Sequence, residues 1–291
     1  MTKPLGTPSL WVTGRAAGAA AARGLLGAPS LWVCALFLLT AALGPLLVSA
    51  RPEAIDLAHA YELPTRTHLL GTADNGVDLL SALVHGARLA AVISLSVVGI
   101  SLSIGALLGA VAGLRGGWVE SLVMALCDLL QAFPAVLLNI ALLSVVARPS
   151  VEHVVLSLSV SGWVLYARLA RAEVLSLRER EFVSAARALG ATEPRLLWVH
   201  LLPNLFSPLL VQATTGFGGV VLMEATLSFL GLGPARAVSW GALLDQGSSV
   251  LLRFPHVALM SGFAIASVVL AFNLAGDRLR EALDPRLRGR R

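Results

Sequence analysis

Hydrophobic blocks about 20 residues long recur along this chain, and no other feature limits its fold as tightly. A helix that crosses a hydrocarbon core of roughly 30 Å needs about 20 mainly apolar residues, because its backbone N–H and C=O groups must be satisfied within the segment. Six blocks qualify: Leu31 to Ala50, Leu89 to Leu114, Trp118 to Ala147, a weaker one from Val154, Leu205 to Leu230, and Val257 to Ala275. Composition agrees, with 56% apolar and 13% charged residues and a mean hydropathy of +0.79, against about 25% charged residues in soluble domains. The expected fold is an all-α integral membrane protein of six transmembrane helices.

Basic residues accumulate in short cytoplasmic segments. With six spans, sixteen of the 22 Lys and Arg residues fall on the side that holds both termini, and six fall opposite. Both termini are therefore expected in the cytoplasm. The chain divides into a cytoplasmic tail (1–30), a first span with an external loop (31–85), a five-span block (86–276) carrying a long cytoplasmic loop (168–204), and a second tail (277–291). The net charge of +5 follows from this topology and implies no nucleic-acid partner. A secretory signal is the rival reading of the N-terminus, since basic residues precede an apolar run ending Val48-Ser49-Ala50. That run exceeds the roughly 7–15 residues of a signal core, so an uncleaved anchor is expected.

Enzyme chemistry finds little support. The one lysine, Lys3, lies in the N-terminal tail, which excludes a phosphate-binding GxxxxGK[ST] loop and a Schiff-base lysine within the bundle. No HExxH or GxSxG occurs, and the histidines are single. Neither cofactor nor metal is expected. Cys34 and Cys127 sit in apolar sequence without CxxC spacing and read as small buried hydrophobes. Asp74, Asn75 and Asp78 faintly resemble a calcium loop, but their spacing does not fit an EF-hand. Gly105, Gly109 and Gly113 recur every four residues in the second block, lining one helix face with small residues for close helix packing.

Ionisable residues inside spans are costly and need a reason. Asp128 and Gln131, three apart before Pro134, share a helical face and either line a polar path or bond a neighbouring helix. Glu224, in the fifth block, is either part of a pathway or gate or a buried partner.

The segment from Arg168 to His200 carries six arginines and four glutamates, far more chain than a turn between spans requires. Within it FVSAARALGA favours helix, Gly190 is a helix stop, and Pro194 suits the first turn of a second helix ending at Pro203. Ala185, Ala186 and Gly190 then form a small-residue knob beside arginines, shaped to seat in another protein's groove.

SAARALGATEPRLLWVHLLPN resembles the "EAA" coupling loop of bacterial ATP-binding-cassette importer permeases: EAA, three residues, Gly, nine residues, Ile-x-Leu-Pro. Ser184, Ala185 and Ala186 occupy the EAA places, Gly190 the glycine, His200 the isoleucine, and Leu202 and Pro203 the final pair. HLLGTADNGVDLLSALVHGAR, Arg115 to Trp118, Ala132-Phe133-Pro134, LSFLGLG, SWGALL and AFNLAGDRLREALDPR resemble the dipeptide, oligopeptide and nickel permeases, specifically the DppC/OppC-like subunit with a short external loop. Ala73, Val77 and Ala82 depart from that branch, which carries an acid and two arginines there.

The resemblance implies a type I importer (MetI-like) permease fold in the bacterial inner membrane. It also implies a homologous second permease subunit, two cytoplasmic ATPases that bind the ATP, and a periplasmic or lipid-anchored substrate-binding protein, with membrane lipid around the bundle. Ser184, Ala185, Ala186, Arg187 and Gly190 would make the ATPase-docking surface, and Leu202 and Pro203 would fix where the loop rejoins the fifth span. The loops around Asp74 to Asp78 and Gly231 to Gly247 would meet the binding protein. Peptide is the first expected cargo. Nickel is second, since His59, His68, His85, His153 and His256 fall near the outer side. Two other classes remain: a proton-driven carrier using Asp128 or Glu224, and a membrane scaffold whose loop recruits a soluble partner.

Overall fold

The computed structural model describes residues 29–48 and 55–283, and the described residues form helices, turns and one isolated β-bridge. Both tails ahead of Pro29 and after Leu283, and the Ser49-Ala50 pair of the signal reading, lie outside them. The helices are α1 (Pro29–Leu47), α2 (Leu79–Arg115), α3 (Gly117–Gln131), α4 (Ala135–Ser144), α5 (Val151–Leu177), α6 (Glu181–Ala188), α7 (Glu193–Phe229), α8 (Trp240–Ser249) and α9 (Pro255–Leu283). Among the described residues five helices are long and apolar enough to cross a membrane, and six spans result if α3 and α4 count as one.

That pair corrects the third block, which reads in sequence as one continuous span. α3 and α4 meet at 81°. Pro134 sits in extended backbone at the start of α4 (φ −55°, ψ 128°). Proline removes a helical N–H and its ring disfavours helix in the residue before it, so the span breaks there. The polar segment expected to be an external loop up to His85 is also shorter, because helix α2 begins at Leu79, capped by the Asp78 carboxylate accepting from Ser81 N at 2.8 Å. α2 runs 37 residues, about 55 Å at 1.5 Å per residue, so it projects well beyond the hydrocarbon. α9 likewise continues as helix through 277–283.

α2 packs most extensively on α5, and the glycine stripe makes the contact. A Cβ at Gly105 would lie 2.4 Å from the Trp163 carbonyl oxygen, one at Gly109 2.1 Å from that of Ala167, and one at Gly113 3.0 Å from that of Arg171. Each glycine thus faces a successive turn of α5 at backbone contact. Around it, Ala110, Leu114, Tyr166, Ala170, Val174, Leu201 and Leu205 close a core shared by α2, α5 and α7. Cys127 and Cys34 are both free and buried.

α1 is held by aromatic packing. The Phe37 ring meets Phe217 edge-on at 6.1 Å and Phe272 at 6.0 Å, and tilts against Trp240 at 5.8 Å. Phe217 and Phe272 stack at 4.2 Å. Trp240 also donates its Nε1–H to the Leu83 carbonyl at 2.8 Å, against Gly86, where any Cβ would strike the indole. One ring from α1 therefore touches α7, α8 and α9 together.

Gly109→Ala is expected to destabilise the bundle by about 1–3 kcal/mol through overpacking, read as a lower thermal midpoint of the detergent-purified protein. Gly99→Ala, where an added Cβ meets nothing within 4 Å, is expected to leave the midpoint unchanged or slightly raised. Equal midpoints for wild type and Gly109→Ala would mean that α2 and α5 do not approach at backbone contact.

Candidate functional site

The charged loop starts later than its sequence suggests. Arg168 and Arg171 lie within α5, and both bond back to α3: Arg168 Nη2 to Asp128 Oδ1 at 2.5 Å, and Arg171 Nε to Glu120 Oε1 at 2.7 Å. These pairs tie the α3 arm to α5. The free-standing segment begins at Arg178, whose Nη1 donates to the Gly113 carbonyl at 3.1 Å.

α6 then forms a short amphipathic helix. Val183 is fully buried among the core residues of α5 and α7, and Ala186 packs partly beneath it. Ser184, Ala185, Arg187, Ala188, Leu189 and Gly190 are exposed. The helix ends where expected. Gly190 takes φ +85°, Gly190 N donates to the Arg187 carbonyl at 2.9 Å, and Ala191 N donates to that of Ala186 at 3.0 Å. This is the Schellman pattern, in which glycine supplies the left-handed residue that lets the chain reverse. A Cβ at Gly190 would meet nothing within 4 Å, so the position demands glycine for its backbone and leaves open space outside it. Arg187 Nη2 reaches Glu193 Oε1 at 3.6 Å, bracing α6 against the start of α7. An exposed pair of this kind contributes little stability.

The second helix of the loop does not end at Pro203. α7 begins at Glu193, with Pro194 in its first turn, and continues through Leu202 and Pro203 to Phe229. The turns over Leu196–Leu201 widen to π geometry, with Leu202 N donating to the Leu197 carbonyl. Widening moves backbone carbonyls off the proline ring, which would clash with one in a regular helix. Leu202 is half-buried and Pro203 exposed. The segment therefore joins the fifth span as a rigid continuation. Leu189 was not singled out by sequence, yet it is 89% exposed at the tip beside Gly190. A lone leucine before a helix stop reads as core, and only the position of Val183 shows that the buried face lies elsewhere.

Of the residues expected within spans, Asp128 meets Arg168 and remains largely exposed. Gln131 is exposed. Glu224 is 2% exposed and its Oε1 accepts from Ser228 Oγ at 2.7 Å and Ser239 Oγ at 2.8 Å. Ser239 also caps α8 by accepting from Gly241 N, so Glu224 links the end of α7 to the start of α8. These three residues do not gather into one site with α6.

At the opposite end, residues 55–78 fold over the bundle. Tyr61 stacks on Phe254 at 4.8 Å, and His256 Nε2 lies 3.1 Å from the Thr72 carbonyl. His68 Nδ1 lies 3.0 Å from Asp78 Oδ2, and His59 Nδ1 lies 2.9 Å from Asp56 Oδ2. The hydrogen bond with Asp56 raises the His59 pKa, and the same bond lowers that of Asp56.

A helical bundle of five to six apolar spans that carries a protruding helix–turn–helix segment at one end and a folded polar cover at the other defines a multi-pass membrane protein. Residues 105–289 match the family described as binding-protein-dependent transport system inner membrane component, and the chain belongs to that family. The chain is 38% identical over 253 residues to the dipeptide transport system permease protein DppC of Alkalihalophilus pseudofirmus, covering 87% of this chain and 83% of that protein. It is likewise 38% identical over 257 residues to a putative peptide transport system permease protein of Brucella suis biovar 1, covering 87% and 85%. A putative peptide permease protein of Brucella ovis is also 38% identical, over 245 residues, covering 83% and 81%.

Glu224→Leu is expected to strip two buried hydroxyls of their acceptor and to destabilise the protein by about 1–3 kcal/mol, measured as a lower thermal midpoint. Glu224→Gln keeps an acceptor oxygen, so the midpoint and transport are expected to persist; loss of transport in a stable Glu224→Gln protein would assign the residue a titrating role. The His59–Asp56 pair is fully made between about pH 4 and pH 6.5, above the ordinary aspartate value and below the ordinary histidine value. It is lost as pH rises through the raised His59 pKa or falls through the lowered Asp56 pKa. Hydrogen exchange at residues 55–61, corrected for intrinsic rate, is expected to quicken above that window, and Asp56→Asn to abolish the change.

Proposed function

We propose that the protein is one of two permease subunits of an ATP-driven importer for di- and oligopeptides, in the bacterial inner membrane with both termini in the cytoplasm. α6 and the turn at Gly190 dock in a cleft of a cytoplasmic ATPase, an external binding protein delivers the peptide to the face formed by residues 55–78 and 231–247, and ATP is bound by the partners. The observation that carries this reading is the exposed tip Ser184, Ala185, Arg187, Leu189 and Gly190 standing on a buried root at Val183. Such a tip offers small residues and one apolar side chain to a groove, while its root couples any movement of the tip to α5 and α7. Leu202 and Pro203 lie on the rigid continuation into α7. ATP then acts by differential affinity for two states of the bundle.

Peptide is favoured over nickel because the relatives named above are dipeptide or peptide permeases. The five outer histidines each engage a local partner: His59 with Asp56, His68 with Asp78, His85 with the Ser81 carbonyl, His153 with Ser150 and His256 with the Thr72 carbonyl. A proton carrier would need a carboxylate free to titrate along a path. Asp128 is paired with Arg168, and Glu224 is bonded by two serine hydroxyls.

Co-purification with the cassette ATPases of the same transport system tests the docking surface. Leu189→Asp is expected to reduce ATPase recovery tenfold or more without moving the thermal midpoint of the permease, and Gly190→Asp to reduce it as much while lowering the midpoint slightly, since the left-handed backbone at Gly190 costs a side chain about 1 kcal/mol. Undiminished recovery with both variants would remove α6 from the coupling role. ATP-dependent uptake of labelled dialanine into vesicles holding the whole transporter tests the cargo, and uptake of nickel ions in its place would reverse the order of the two substrates.

A further inference from the structure

A cavity of about 270 Å³ opens at the end of the bundle opposite α6, lined by His85, Arg88 and Val92 of α2, Val151 at the start of α5, and Arg236 and Val238 between α7 and α8. Arg88 and Arg236 are both exposed. Neither meets a carboxylate among the described residues, whose ion pairs involve other arginines and histidines. His85 commits Nδ1 to the Ser81 carbonyl at 2.9 Å. The cavity thus presents two unneutralised guanidinium groups over an apolar floor.

Its position limits what can fill it. Arg88, Val92 and Leu95 follow one another at helical spacing, and Val92 and Leu95 are 46% and 59% exposed. Leu95 lies about 10 Å further along the helix than Arg88, at 1.5 Å per residue. An open apolar track therefore runs from the arginine pair toward the middle of the membrane. Guanidinium forks bind phosphate oxygens in bidentate fashion, and Arg88 stands at the edge of the apolar block that begins at Leu89, where a phospholipid carries its phosphate. A peptide carboxylate offers the same charge but has no long chain to lay along the track.

We propose that Arg88 and Arg236 hold the phosphate of an anionic phospholipid, with an acyl chain along Val92 and Leu95. The site would make the outer end of α2 and the α7–α8 loop share one ligand, and it stands whether or not α6 docks on an ATPase.

The test is native mass spectrometry of the full-length permease, released from detergent with phosphatidylglycerol or phosphatidylcholine at equal concentration. Wild type is expected to retain phosphatidylglycerol at least fivefold more than phosphatidylcholine, and Arg88→Gln/Arg236→Gln to lose that preference. Arg253→Gln, at the same end but outside the cavity, is expected to keep it. If the double variant does not fold, Arg236→Gln alone, in an exposed loop, decides through a preference reduced at least twofold. No preference in wild type, an unchanged preference in the variant that folds, or an equal loss in Arg253→Gln would overturn the site. Displacement of the lipid by millimolar glycerol 3-phosphate or dialanine would also overturn it, by showing a site for soluble oxyanions.

Discussion

α2 and α5 touch at their backbones, and the remaining helices are arranged around that contact. In lipid the hydrophobic effect does not drive helices together, so association depends on packing at close range. Gly105, Gly109 and Gly113 let carbonyl oxygens of α5 approach where any side chain would stand. Because the two helices form the centre, α7 packs across both through Leu201, Leu205 and Leu209. α1 and α9 add outside it through the Phe37, Phe217 and Phe272 rings. A chain with large residues at the stripe would splay this centre and separate the helices that carry α6.

Three kinds of irregular backbone show how the helices stop, bend or continue. The 81° break between α3 and α4 falls at Pro134, which has no N–H to leave unpaired. α6 and α7 each end in the same device, since Gly190 and Gly231 both take positive φ and the following residues, Ala191 and Leu232, bond back to carbonyls at Ala186 and Leu227. The π turns before Pro203 serve the opposite need. They let the helix run through a proline that would otherwise end it. The stop at Gly190 and the continuation through Pro203 together give the protruding segment a fixed shape.

The apolar blocks, the glycine stripe, the stop at Gly190 and the buried cysteines were legible because each rests on local chemistry: length, spacing, or one residue's backbone freedom. What escaped depends on distant partners or on competing local rules. Arg168 and Arg171 look like loop charge in sequence, and only Asp128 and Glu120, 40 and 51 residues earlier, explain why they sit on a span helix. Pro134 and Pro203 are the same residue with opposite outcomes. Beyond Pro134 the chain buries Asn139 and Leu143 against α5 only after the bend, whereas beyond Pro203 Leu205 and Leu209 are buried against α2 and α5 along the line of the same helix, so there distorting the helix costs less than abandoning the packing. Leu189 was missed because the face an eight-residue helix buries is set by its neighbours.

The arginines on α5 bear on how far a push at α6 can travel. Val183 joins α6 to a cluster containing Leu114 of α2, Val174 and Leu177 of α5, and Leu196 and Leu197 of α7. If α6 docks on an ATPase as proposed, a displacement of the tip would be passed to three helices together, and to α3 through its two ion pairs with α5. α1 and α9 belong to a different cluster, centred on the aromatic rings. Packed interiors resist continuous deformation and switch between discrete arrangements. Two helices belong to both clusters: α7, through Leu205 and Leu209 in one and Phe217 and Val221 in the other, and α2, through Ala110 and Leu114 in one and Ala87 and Ala90 in the other, so on the proposed docking a push at α6 would reach the second cluster along these two helices. Glu224 lies one turn beyond Val221 and is bonded to Ser239 at the head of α8, so the same helix that receives the push also holds the opposite end of the bundle.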